Sequence, residues 1–163
     1  MAQARNRLLP QRQGEEISEL DKRIIEHLQQ DGRRPFTQIA TELGVSEAAV
    51  RARTNRLVER GILQIVGVTD PLKLGFHQQA MIGIRCERDR LIDVADAVAA
   101  FPEVDYVVIT AGTYDLLIET VCEDNEALLN FLTGRLRRIE GVRETETFVY
   151  LRMVKQTYQW GTR

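Results

Sequence analysis

One interruption constrains this chain more than any other feature: Leu43-Gly44-Val45-Ser46, set between two short amphipathic segments. Before it, Pro35 opens a segment whose inner face is Phe36, Ile39, Ala40 and Leu43. Glycine stops that helix early, because it takes the left-handed conformation without a Cβ clash. Ser46 then caps a third helix reaching about Arg60, with Val50, Leu57 and Val58 turned inward. Upstream, Ile17, Leu20, Ile24, Ile25 and Leu28 fall at i, i+3, i+7, i+8 and i+11, one face of a first helix. Asp31-Gly32 is expected to end that helix, with Gly32 left-handed. Helix, tight glycine turn and serine-capped helix make the pattern of a helix-turn-helix.

The second helix of such a unit enters the major groove of duplex DNA by its N-terminal end. At about 100° per residue, Ala48, Arg51, Ala52 and Asn55 share the face opposite Val50 and Leu57. The alanines permit close approach, and Arg51 and Asn55 are residue types that reach base edges or phosphate. Arg53, Arg56 and Arg60 flank that face and suit phosphate contacts. Ser46 and the free amides beside it suit phosphate as well. The plainer reading is a solvated helix face, with Glu47 and Glu59 pairing some arginines and Arg53 tying the helix to a neighbour. The trihelical pattern as a whole favours double-stranded DNA as partner. Beyond Gly61, residues 62–69 are rich in Ile and Val, with Gly67 interrupting, and read as a small wing or a connecting strand.

The second half repeats itself. Each part has an apolar strand, an acidic turn, a helix, and a hinge (Phe101-Pro102-Glu103-Val104 or Ile139-Glu140-Gly141-Val142) into another strand. That repeat implies a βαββαβ ferredoxin-like sandwich, so the class is α+β. Strands are expected at 79–86, 104–110, 115–122 and 144–153, with helices at 91–100 and 125–139. Two helices cover one face of such a sheet, so the other needs a partner, and a homodimer through that face is expected. The division is therefore a polar arm at 1–16, a winged helix-turn-helix at 17–63, a linker strand at 64–78 and a ligand-sensing, oligomerising domain at 79–163.

Composition narrows the function classes. Apolar residues are 44% and charged residues 28%, with no apolar run of membrane-spanning or signal-peptide type, which reads as cytoplasmic. Net charge is −2, but residues 1–76 hold 12 Lys/Arg against 10 Asp/Glu and residues 77–163 hold 10 against 14. Any polyanion should meet the first half through a local patch. Cys86 and Cys122 are not in CxxC spacing and suggest no metal. On adjacent central strands they would be a redox pair or simply two reduced core thiols. His27 and His77 are isolated and read as solvated, without a nucleophile or metal partner.

Taken in order, these residues resemble the Lrp/AsnC, or feast/famine, transcriptional regulators from Leu20 to about Gln156. The resemblance rests on Leu20-Asp21, Asp31-Gly32-Arg33, Leu43-Gly44-Val45-Ser46, Arg53, Arg56-Leu57 and Gly61-Ile62-Leu63. In the second half it rests on Gly112-Thr113-Tyr114-Asp115-Leu116-Leu117 and Val154-Lys155-Gln156. It implies dimers built through the C-terminal sheets, often assembled into tetramers, octamers or larger. It also implies amino-acid effectors that shift assembly and DNA affinity, with no cofactor. In relatives the loop matching Gly112 to Asp115 lines the effector site. This chain departs in its long N-terminal arm and in Thr54-Asn55, where an apolar-basic pair is common.

An amino acid presents a carboxylate and an ammonium, so its site must offer donors to one and acceptors to the other. Gly112 lets backbone amides approach a carboxylate. Asp115 can accept from the ammonium, Thr113 adds a hydroxyl and Tyr114 can wall the pocket. By residue type alone the loop reads as a hairpin turn rather than a ligand site; the resemblance favours the ligand loop. Thr145 and Thr147 on the last strand are candidate second contributors. Two alternatives stand beside an effector-responsive regulator. One is an architectural protein that coats DNA with little sequence preference. The other is a tetrapyrrole decarboxylase-like enzyme, disfavoured because the second half holds only His77.

Overall fold

Ser18 sets the start of the first helix by a reciprocal cap. Its Oγ accepts from the Asp21 amide at 3.2 Å, and the Asp21 carboxylate accepts from the Ser18 amide at 3.3 Å. The computed structural model describes residues 17–157 and 161–162, and the expected arm at 1–16 lies outside the described residues. They form two units, one of residues up to Gly67 together with those from Gln156 onward, the other Val68–Lys155. Of the described residues after Lys155, Thr162 donates through Oγ1 to the Glu26 carboxylate.

The first unit has three helices: α1 (Glu19–Gln30), α2 (Phe36–Leu43) and α3 (Glu47–Glu59). Ile24, Ile25 and Leu28 of α1, Ile39 and Ala40 of α2, and Val50 and Leu57 of α3 make its core, closed by Leu63. Gly44 ends α2 at φ +69°, as its place in the turn requires. Three local expectations are corrected. Asp31, in extended conformation, caps α1 while its carboxylate accepts from the Arg33 amide at 2.9 Å, so the turn needs no left-handed Gly32. Val58 is exposed and Thr54 is buried in its place. At about 100° per residue Thr54 lies only about 40° from Val50, whereas Val58 lies about 80° away, at the margin of the stripe. The third concerns residues 63–70, which form no strand. Ile65, Val66 and Val68 are exposed, and no described strand of this chain offers them a ladder, so neither the wing nor the linker strand is formed.

The second unit contains a 3-10 turn (Pro71–Leu74), β1 (Gln78–Cys86), α4 (Leu91–Ala99), β2 (Val104–Ile109), β3 (Leu116–Cys122), α5 (Asn125–Asn130) and β4 (Val142–Val149). The strands pair antiparallel in the order β2-β3-β1-β4, the arrangement a βαββαβ sandwich produces. After α5 the helical path widens into a π turn (Phe131–Arg135) and then tightens into a 3-10 turn (Leu136–Arg138). A five-residue turn puts Phe131 and Leu136 on the same side, and both are buried. β4 ends at Val149, short of the expected 153, and a last bond to β1 runs from the Tyr150 amide to the Gln79 carbonyl at 2.8 Å.

Alternation decides the two sheet faces. Ala80, Ile82, Ile84 and Cys86 of β1, with Leu116, Ile118, Thr120 and Cys122 of β3, face Val94, Val98, Leu128, Phe131 and Leu136. The other face carries no helix. Across it run Tyr106, Glu119, Met81 and Phe148, one from each strand in register, and beside them Val108, Leu117, Gly83 and Glu146. Tyr106 and Phe148 are 50% and 43% exposed, a large solvent share for aromatic rings. No helix among the described residues is long and apolar enough to cross a membrane.

Candidate nucleic-acid interface and ligand loop

Ser46 begins α3, and its hydroxyl accepts from the Ala49 amide at 3.2 Å. From that cap the helix turns Ala48, Arg51, Ala52 and Asn55 outward together. With Glu47 they line one shallow concavity of about 560 Å3. Arg51 is exposed, pairs with Glu47 at 2.6 Å, and lies 5.2 Å from the centroid of the Phe36 ring on α2. An exposed pair of this kind is worth at most about 1 kcal/mol, so Arg51 exchanges its partner at little cost. Arg56 is exposed on the flank.

Arg53 is not on that face. Its guanidinium donates to Asp21 at 3.0 Å and to Ser18 Oγ at 3.2 Å, so it docks α3 onto the capping box of α1. Burial raises the Asp21 pKa. Hydrogen bonds from Ser18 and Arg53, with the Arg53 charge, outweigh it and hold the carboxyl below the ordinary Asp value. His27 is also not simply solvated: its Nδ1 lies 2.8 Å from Arg34, which pairs with Glu42 at 2.6 Å.

In the second unit, Ala111, Gly112 and Thr113 form an exposed turn between β2 and β3. The Tyr114 ring lies flat on Gly83: a Cβ added to Gly83 would meet ring carbons at 2.6–2.7 Å. A side chain at position 83 would therefore displace the tyrosine. Tyr114 makes an edge contact with Phe148 at 6.3 Å, which places it on the helix-free face. Asp115 uses one carboxylate oxygen to accept from the Cys86 amide at 2.8 Å, beside the irregularity at Arg85/Cys86. Thr110 Oγ1 donates to the Tyr114 carbonyl at 2.5 Å.

Sequence reasoning missed Arg85. Its Nε donates to the Thr113 carbonyl at 3.0 Å, its Nη1 to Glu144 at 3.1 Å, and its guanidinium lies 5.8 Å from the Tyr114 ring centroid. One side chain thus ties the turn to β1 and β4. Alternation places Arg85 on an outward face, but only the register of β1 with β4 reveals Glu144 as its neighbour. Thr145 and Thr147 do not join the loop. They pair with Ile84 and Ile82, on the helix side of the sheet, and Thr145 Oγ1 accepts from Arg137 Nε at 3.3 Å.

The cysteines lie on adjacent strands but at opposite ends. Gln78 is the register partner of Cys122, and Cys86 is eight residues further along β1. At about 3.4 Å per residue that is about 27 Å, far beyond disulfide reach. Burial, with the Asp115 charge, pushes the Cys86 thiol up, and burial pushes Cys122 up too, against thiolate chemistry.

Comparison with known proteins agrees with this geometry. Residues 17–58 match the AsnC-type helix-turn-helix domain, and residues 79–160 match the Lrp/AsnC ligand binding domain. An uncharacterized HTH-type transcriptional regulator of Pyrococcus horikoshii is 34% identical over 147 residues, covering 90% of each chain. The HTH-type transcriptional regulator FL11 of Pyrococcus furiosus is 34% identical, covering 86% of this chain and 93% of its own. Among solved structures, Escherichia coli AsnC superposes with a TM-score of 0.79 at 24% identity, covering 86% of this chain and 96% of that one. A Neisseria meningitidis transcriptional regulator in complex with L-Met superposes with a TM-score of 0.79 at 24% identity, covering 88% and 95%. With both halves matched in order and relatives aligned over nearly their whole length, the chain belongs to the Lrp/AsnC family of transcriptional regulators.

Proposed function

We propose that this protein is a sequence-specific regulator that binds duplex DNA through α3 and changes assembly or affinity when a small effector, an amino acid, binds the sheet unit. The observation that carries the reading is the shared outward concavity of Ala48, Arg51, Ala52 and Asn55 on a serine-capped helix. Arg51 and Asn55 read base edges, and the alanines let the helix seat in the groove. Ser46 and Arg56 hold phosphate, while Arg53 positions α3 from behind. The working species is a homodimer, assembled further into tetramers or octamers, in the cytoplasm. On the effector side, Gly112 and Thr113 offer amides to a carboxylate, Tyr114 walls the pocket, and the second carboxylate oxygen of Asp115 accepts from the ammonium. The L-Met complex of the Neisseria meningitidis relative supports an amino acid as the ligand class. Thr145 and Thr147 drop out of the proposed effector site, because they lie on the other face of the sheet.

The test is a gel-shift titration of wild type against R51A/N55A on a selected pseudo-palindromic duplex. Each bidentate base contact is worth about 1–3 kcal/mol, so the double variant should lose specific affinity by roughly thirtyfold or more. Non-specific affinity should change far less, since the remaining basic groups still meet phosphate. Unchanged specific affinity would remove α3 as the reading helix. A thermal-shift screen of the amino acids tests the effector, because a ligand of the folded form raises the melting temperature.

A further inference from the structure

Basic residues in the second half are unevenly placed. Residues 77–163 carry an acidic excess, yet 135–143 hold Arg135, Arg137, Arg138 and Arg143 with Glu140 as the acid among them. Three acids beside this run already have arginines. Glu103 takes Arg135, which also lies 4.4 Å from the Phe101 ring centroid. Glu140 takes Arg90 at 3.1 Å, and Glu144 takes Arg85 at 3.1 Å. Arg137, Arg138 and Arg143 are exposed and have no acidic partner among the described residues.

Two of these three converge. Arg137 and Arg143, with Val142, Glu144 and Thr145, line a depression of about 450 Å3 along the outer edge of β4. Arg143 sits where the register slips: Arg85 pairs with Glu144 and Cys86 with Val142, leaving Arg143 without an opposite residue. Such a bulge re-aims a side chain. On the other wall Arg137 is steered by its bond to Thr145 Oγ1 at 3.3 Å. With the Glu144 charge met by Arg85, the local balance is two guanidinium forks and a hydroxyl. That set matches the several acceptor oxygens of a tetrahedral phosphoryl group better than a planar carboxylate.

We propose that this depression is a phosphate-binding site, with Arg137 and Arg143 forking onto phosphate oxygens and Thr145 hydrogen-bonded beside them. The phosphate belongs either to a free phosphorylated molecule or to a nucleic-acid backbone. The proposal needs neither the α3 face nor the 112–115 loop.

The full chain is titrated with sodium pyrophosphate at constant ionic strength, balanced with chloride, by calorimetry. Wild type should bind saturably, and R137A/R143A should bind at least tenfold more weakly. R138A, outside the depression, should stay within twofold of wild type. Equal affinity in R137A/R143A, a non-saturating response, or an equal loss in R138A would overturn the site. Duplex DNA titrations of the same variants separate the two sources. A salt slope reduced by about 1.8 in R137A/R143A, two contacts' worth, assigns the phosphate to the backbone. An unchanged duplex affinity alongside lost pyrophosphate binding assigns it to a free phosphorylated ligand.

Discussion

Thr54 sits in the core stripe of α3, 2% exposed, and its Oγ1 has no hydrogen-bond partner. A threonine in a helix usually turns its hydroxyl to a carbonyl one turn back, and this one does not. A buried hydroxyl without a partner costs about 1–3 kcal/mol of desolvation. Thr54→Val keeps the shape and removes that penalty, so it should stabilise the first unit by about 1 kcal/mol. The check is the urea midpoint of a transition followed by a probe in α3, at unchanged slope. A lower midpoint would mean the hydroxyl has a partner after all. Arg53, one residue earlier, shows what can be read at this scale without coordinates. Its place near the buried edge of α3 marks it as a candidate tie to a neighbour, but only the fold names Asp21 as the other end.

Ties between elements respond to pH. Asp21 bonds to Ser18 and Arg53, linking the start of α1 to the middle of α3. Its folded pKa lies below the ordinary Asp value of 3.8. Glu42 at the end of α2 is lowered too, by the Gln38 hydrogen bond first and by Arg34. A carboxyl with a depressed folded pKa contributes stability that is complete above its unfolded pKa. That contribution is lost as pH falls through the unfolded value towards the folded one. Hydrogen exchange of α1 and α3 amides should therefore accelerate as pH is lowered from about 5 to 3, after correction for intrinsic rates. Asp21→Asn should flatten that dependence, because asparagine has no proton to gain. An identical acid profile in the variant would show that Asp21 does not link the helices. Legibility differs between elements for related reasons. The cap Ser46 and the stop Gly44 act within a few residues of themselves, so the helix borders they set are visible in sequence. The π and 3-10 turns after α5 change hydrogen-bond partners without breaking the apolar run, and no residue type announces them. The missing strand at 63–70 is the converse case: β-rich composition is present, but no strand among the described residues pairs with it.

At the scale of the whole molecule, the helix-free sheet face is the surface on which the proposed dimer would be tested. The repeat in the second half foretells that face, since two helices cover only one side. It does not foretell what tiles it, because the four-strand row of Tyr106, Glu119, Met81 and Phe148 depends on register. Tyr114 brings the loop onto the same surface through its contact with Phe148. Tyr150 adds a phenol beside Glu119; burial, with the Glu119 charge and hydrogen bond, pushes its pKa up to about 12, so it meets a partner uncharged at neutral pH. Apolar rings left this open gain about 25 cal/mol for each Å2 removed from water when a second copy covers them. If that face is the dimer interface, a charge in its apolar row must oppose assembly. Phe148→Glu is placed at an exposed position, so the fold tolerates it, while in a two-fold interface the substitution appears twice. Sedimentation should show the wild type as a dimer or larger and Phe148→Glu as a monomer at the same concentration. A monomer presents one α3 to one half-site, so specific affinity should fall at least tenfold and cooperativity should vanish, with Arg51 and Asn55 intact. A variant that remains dimeric, with unchanged DNA affinity, would locate the dimer interface elsewhere on the chain.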